Sequence, residues 1–307
     1  MRRCVAIVAG LVVVSAALGA QAAPPSTDIY LVRLRGAGSA IADPPQDVTH
    51  RDGYDNQPAF TPDGRWLLFT SIHEDGQADT YRLDLASRAI TRLTDTPESE
   101  YSPTPMPNGA GFSVVRVERD SAQRLWAFNA DGRAPVLLLP GVAPVGYHVW
   151  LDDHTLALFV LGTPNTLQLA DTHTGDARVI ARDIGQSLQA VPGGNRFSFL
   201  QHTDSATWLE TADASATGDV QRVAIMPKRA GYVVWESPTS VLTAAGTEIL
   251  RLDLSRGAAA AWVPIADFTE DGLRNISRLA ISPDGRWLAL VAIPAGGQPP
   301  ARARRVP

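Results

Sequence analysis

The sequence predicts an all-β protein, a six-bladed β-propeller of four-stranded blades in which the N-terminal segment closes the last blade. Three observations lead there: one turn motif recurs along the chain, its copies keep a spacing near 44 residues, and each interval holds four short strand-like runs.

The motif is sharpest in Phe60 to Phe69 (FTPDGRWLLF) and Ile281 to Leu290 (ISPDGRWLAL). Proline presets φ to about −65° at the second turn position, aspartate bonds locally and glycine accepts positive φ, so Pro-Asp-Gly closes a tight hairpin between two apolar strands. Weaker copies stand at Met106-Pro107-Asn108-Gly109, Trp150-Leu151-Asp152-Asp153, Val191-Pro192-Gly193-Gly194 and Trp235-Glu236-Ser237-Pro238. With residues 62, 107, 151, 192, 236 and 283 taken as equivalent, the separations are 45, 44, 41, 44 and 47.

Each copy continues into two further runs, such as Thr80 to Leu85 with Ile90 to Asp95, or Ile249 to Leu254 with Trp262 to Ile265. The sixth stops after Val291-Ala292-Ile293 with two strands made, and the missing pair lies at the other end of the chain, in Asp28 to Leu34 and Asp47 to Thr49. Joining these segments removes the exposed edges of an open array. A solenoid is the structural alternative, but it needs no split repeat.

Composition agrees with a folded chain. Of 307 residues, 45% are hydrophobic and 19% charged, which excludes a disordered or fibrous protein. A net charge of −5 supplies no general attraction to phosphate backbones, so nucleic acid is not an expected partner. Tryptophan, with 7 copies, is nearly as frequent as phenylalanine with 8, as expected if large anchors recur at chosen positions.

Residues 1–22 read as a signal peptide: Arg2 and Arg3, an apolar run from Val5 to Leu18, then small residues that permit cleavage after Ala22. The run is short of the roughly 20 residues of a membrane span and no second such run follows, so the protein is not expected to span a membrane. The general secretory route is favoured over the twin-arginine route, and the expected location is periplasmic or secreted. Cys4 is the only cysteine and falls in this segment, which leaves no disulfide or thiolate site in residues 23–307. The propeller is placed at residues 23–293, and residues 294–307, with Arg302, Arg304 and Arg305, are expected to form a disordered basic tail.

The motif Ser/Thr-Pro-Asp-Gly-Arg-Trp, with Arg92-Leu93-Thr94-Asp95 closing a blade, resembles the Pro-Asp type, WD-like repeats of TolB-like six-bladed propellers. The resemblance is sharp in the first and last copies and weak in the middle ones. TolB carries an α/β domain ahead of its propeller, for which residues 23–307 leave no room. What the resemblance implies is a periplasmic protein that binds other proteins or envelope components, without implying membership of the Tol complex.

No Gly-x-Ser-x-Gly elbow and no Walker or Rossmann phosphate loop is present in the sequence. Among the six histidines, His148 falls in an innermost strand and is expected to be a hydrogen-bonded core residue. His73-Glu74-Asp75 with His50 and Asp52 form the candidate metal set, because both loops open on one face. A solvated loop is the simpler explanation, and no metal or cofactor is expected.

Loops leading into the blades carry a charge pattern. Those of blades one and two hold Asp52, Asp55, Glu98 and Glu100 beside Tyr54 and Tyr101; those of blades five and six hold Lys228, Arg229, Arg274 and Arg278 near Tyr232. The mouth of the central channel is therefore expected to be acidic on one arc and basic on the next, and these residues are the candidate partner-binding set. Arg82 and Arg251 are expected on the outer blade edges. Taken together, the sequence points to a monomeric, non-catalytic binding module. The alternative is a metal-dependent propeller enzyme of lyase or lactonase type, with its site at the channel mouth.

Overall fold

The structure is a computed structural model that describes residues 24–35, 41, 43–73, 76–215, 219–294 and 296. The expected signal peptide lies outside the described residues, as does the expected tail apart from Pro294 and Gly296. Among the described residues no helix is long and apolar enough to cross a membrane.

Six antiparallel four-stranded sheets follow one another around a ring. The innermost strands are Tyr54–Phe60, Ser99–Pro105, Val145–Trp150, Ile184–Ala190, Val233–Ser237 and Arg274–Ile281 for blades one to six. In blade six the chain closes as expected: Asp28–Arg33 pairs with Trp287–Ile293 from Asp28 against Ala292 to Arg33 against Trp287, and Gln46–Asp47 forms the outer strand. Upstream, the backbone continues into blade one, where Thr27 N–H donates to the Gly53 carbonyl at 2.9 Å and Asp55 N–H to the Thr27 carbonyl at 2.9 Å.

Apolar residues occupy both faces of the second strands, so Trp66–Ile72, Gly111–Val117 and Thr155–Val160 are buried along almost their whole length. Each blade must therefore pack on two neighbours. Six apolar clusters fill the six junctions, for instance Ile29, Leu31, Phe69 and Val291 between blades six and one, and Phe159, Leu167, Phe197 and Phe199 between blades three and four. The fourth strands, such as Ile90–Arg92, face solvent at the perimeter.

The two sharp turn copies agree bond for bond. Thr61 and Ser282 hydroxyls each donate to the following aspartate at 2.6 Å, and Asp63 and Asp284 each accept from the arginine N–H at 3.0 Å. These bonds hold both carboxyls below the usual carboxylate range. In blades three and five the register sits one residue later than the sequence suggests. Glu236 belongs to the innermost strand, and the turn is Pro238-Thr239 between the paired Ser237 and Ser240. The innermost strands of these two blades carry Trp150 and Trp235, whose indoles donate to Ser113 at 2.9 Å and Ser198 at 2.8 Å in the preceding blades.

Gly64, Gly109 and Gly285 have φ of 66°, 70° and 68°, and an added Cβ would meet no atom closer than 3.9 Å at any of them. Valine at each should then cost on the order of 1–3 kcal/mol by backbone strain alone, read as a lower denaturant midpoint with unchanged slope.

The seam of blade six makes a second prediction. Asp28 is buried, accepts from the Thr49 hydroxyl at 3.2 Å and faces Asp47 and Asp55; burial, then the field of Asp47, pushes its carboxyl up to about 6. The folded state thus binds this proton more tightly than the unfolded chain, and stability falls as pH rises from about 4 to about 6. Asp28→Asn keeps the acceptor oxygen and should raise stability at pH 8 by about 1–3 kcal/mol, with little effect near pH 4. Denaturant melts at the two pH values check this; an equal effect at both would refute the assignment.

Candidate functional site

The innermost strands wall a central cavity of about 540 Å³ that all six blades line. Register shifts interrupt these strands between Asn56 and Ala59, Tyr101 and Thr104, Ile184 and Leu188, and Arg274 and Arg278. Bulges of this kind re-aim side chains, and Gln57, Ser102, Gln186 and Arg278 beside them all line the cavity.

At the end where the chain enters each blade, Arg278 reaches across the axis. Its guanidinium lies 4.0 Å from the Tyr232 ring centroid and 4.8 Å from that of Tyr147, and Nη2 donates to the Tyr147 hydroxyl at 2.8 Å. Tyr232 in turn donates to Gln186 Oε1 at 2.7 Å. Burial pushes the Tyr54 phenol up to about 12, against the opposing field of Arg278. Tyr54, Tyr232 and Arg278 of the sequence-derived set therefore come together. Tyr147 and Gln186 were missed, because they belong to blades whose leading loops carry no cluster of charge.

The acidic arc is largely withdrawn from the mouth. Asp55 is fully buried, with Arg51 Nη2 at 2.5 Å and a further bond from Arg51 to Ser71 beside it. Glu100 is fully buried, accepting from Arg116 at 3.1 Å and Thr96 at 2.5 Å. Burial raises both carboxyls above the usual range. Both sit on innermost strands, where the pleat turns them into the blade stack. Glu98 lies 3.8 Å from Arg119, Asp52 is exposed, and Tyr101 packs on the junction of blades two and three. Lys228 and Arg229 are exposed in the loop leading into blade five, and Arg274 is exposed at the start of the innermost strand of blade six. Arg251, expected on an outer edge, is instead buried against Glu236 at 2.9 Å.

His148 is buried, with Nε2 2.7 Å from the Ser113 hydroxyl, and burial lowers its pKa to about 3. It is a neutral bonded group at neutral pH, not a poised base. Of the metal set, His50 faces Asp47 at 3.4 Å and His73 stacks on Tyr81 at 5.0 Å, while Glu74 and Asp75 lie outside the described residues. At the opposite end of the ring His154 stacks on His173 at 4.9 Å, a contact no spacing rule signalled. Among the described residues no three His, Cys, Asp or Glu side chains are placed to hold a metal ion.

No family model matches the chain. An uncharacterized protein of Agrobacterium fabrum is 32% identical over 73 residues, which are 24% of this chain and 25% of that relative, so the likeness spans about a quarter of either. Among solved structures, a protein of Agrobacterium tumefaciens assigned as a TolB has a TM-score of 0.69 at 16% identity, covering 90% of this chain and 99% of its own. A gluconolactonase from Xanthomonas campestris has a TM-score of 0.61 at 11% identity, covering 90% and 98%. At such identities the likeness concerns architecture alone: the chain has a TolB-like six-bladed propeller fold.

Proposed function

We propose that the protein is an exported, non-catalytic binding module of the periplasm, a monomer that engages a protein or envelope component at the mouth formed around Tyr54, Tyr147, Tyr232 and Arg278. The observation that carries the reading is the charge of that end. Lys228 and Arg229 are exposed together in the loop leading into blade five, whereas Asp55 and Glu100, expected on the acidic arc, are buried in ion pairs. A basic arc beside an aromatic channel suits a partner with an acidic face, which it would both steer and orient. Export is supported by the character of residues 1–22 and the periplasmic setting by the likeness to TolB.

The metal-dependent lyase or lactonase reading keeps one support, the likeness to the gluconolactonase. It is tested by metal analysis of the purified protein: stoichiometric divalent metal would favour the enzyme.

Arg229→Glu with Arg274→Glu should reduce capture of a partner from envelope extracts about tenfold and weaken its salt dependence. Arg133→Glu with Arg256→Glu, placed in turns at the opposite end, is the control. Equal loss in both double variants would refute the mouth as the binding face.

A further inference from the structure

Most of the enclosed arginines of this protein are matched to an acid. Arg51 meets Asp55, Arg116 meets Glu100 and Arg251 meets Glu236, all between 2.5 and 3.1 Å. Arg278 breaks the pattern. It stands in the wall of the central cavity with two tyrosine rings against it and one bond to a neutral phenol, and among the described residues it makes no ion pair.

From this contrast we infer that Arg278, Tyr147 and Tyr232 form a binding site for the carboxylate of a ligand entering the central channel. The inference refines the proposed binding role, on which it rests. Four physical points carry it. A guanidinium packed against ring faces keeps its in-plane N–H edge available, and that planar fork matches a carboxylate bidentately. Tyr147 accepts from Arg278, so its own O–H, which otherwise meets the Tyr232 hydroxyl, can turn to donate to the same anion. The surrounding rings lower the local dielectric, which strengthens a charge pair relative to one in open water. Finally, among the described residues Arg278 is the only formally charged one lining the cavity, since His148 is held neutral. One positive charge balances a monoanion and leaves a phosphate dianion half-compensated in an enclosed site, so a carboxylate is the matching class.

The space agrees with the chemistry. A cavity of about 540 Å³ admits a small organic acid or the end of a peptide chain, and Gln57, Ser102, Gln186 and Ser187 supply further polar groups along its wall. Arg278, Tyr232 and Leu279 also border a hollow of about 200 Å³ between blades five and six, so the guanidinium is reachable from two sides.

The test uses the purified exported chain with benzoate, inorganic phosphate, and one acidic-free peptide prepared with a free or an amidated C-terminus. Benzoate should bind saturably and phosphate should not. Arg278→Met should lose about tenfold or more in benzoate affinity, and Arg278→Lys should recover only part of it, because the point charge lacks the fork. Since Arg278 compensates no buried acid, Arg278→Met should melt no lower than the parent. A marked fall in melting temperature would make the residue a structural clamp and overturn the site. Preference for the free over the amidated peptide identifies a chain terminus as the source of the carboxylate; benzoate binding without that preference identifies a small acid, and either supports the site. Absence of saturable binding to benzoate and to the free peptide overturns it, as does equal affinity for phosphate or unchanged affinity in Arg278→Met. These readings do not depend on envelope capture. Capture without carboxylate binding refutes this site alone, and carboxylate binding without capture refutes the partner-binding role alone.

Discussion

Each blade is apolar on both faces, and the rest of the structure depends on that constraint. A sheet buried on one side can end against water, but a blade whose second strand is buried throughout needs a neighbour on each side. Linear stacking would leave two apolar faces bare. Closing the stack into a ring leaves none, and the six clusters between blades are the result. The seam is then the place where the ring could open. Drawing one blade from both ends of the chain puts six residue pairs of sheet register across it, and the Thr27 contact carries the same segment on into blade one. The cost is Asp28, a carboxyl held in that seam beside two other acids.

Charge within the stack follows from the same packing. An acid at a buried strand position must be matched or it destabilises the fold, and here Asp55, Asp79, Glu100 and Glu236 are matched by arginines. One of these arginines, Arg116, also lies over the Trp126 ring at 4.5 Å, so the cation's stem and plane are packed as well as its charge. The tryptophan count reflects this role. Trp66, Trp126, Trp208 and Trp287 carry arginines on their faces, while Trp150 and Trp235 bond across blade junctions with their indole N–H.

The fold was legible because its information is local and repeated: Pro-Asp-Gly-Arg-Trp sets a hairpin at two places, and the period then locates the others. The closure was legible because a repeat with two missing strands and a terminus with two spare ones complete each other. Register in blades three and five was less so, since Trp150 and Trp235 are each held by a bond to a serine some 37 residues away, which no local motif announces. The site was read only in part. Proximity in sequence put Asp55 and Glu100 beside the mouth, but whether a strand residue faces the channel or the neighbouring blade depends on pleat and bulge. Conversely, Tyr147 reaches Arg278 only because the ring brings blade three opposite blade six, and Gln186 joins the group through Tyr232 of the neighbouring blade five.

The channel wall is where local rules are relaxed. Gln57, Ser102 and Asn275 take φ of 58°, 54° and 51° on innermost strands, although none is glycine, and the sheet register slips beside each of them. Such conformations cost about 1–3 kcal/mol apiece and persist where their surroundings over-determine them. At Gln57 the means are visible: its Oε1 accepts from the Thr70 hydroxyl and the Ser102 N–H, both at 2.8 Å, tying blade one to blade two at the strained point. Because stability resides in the junctions between blades, the innermost strands are free to bend, and bending is what turns polar side chains towards the axis. The same freedom accounts for an arginine there without an acid, a position that packing between blades would not tolerate. A ring whose strength lies between its blades can keep an uncompensated charge at its centre, and an uncompensated charge at the centre of a channel is the physical requirement for holding an anion there.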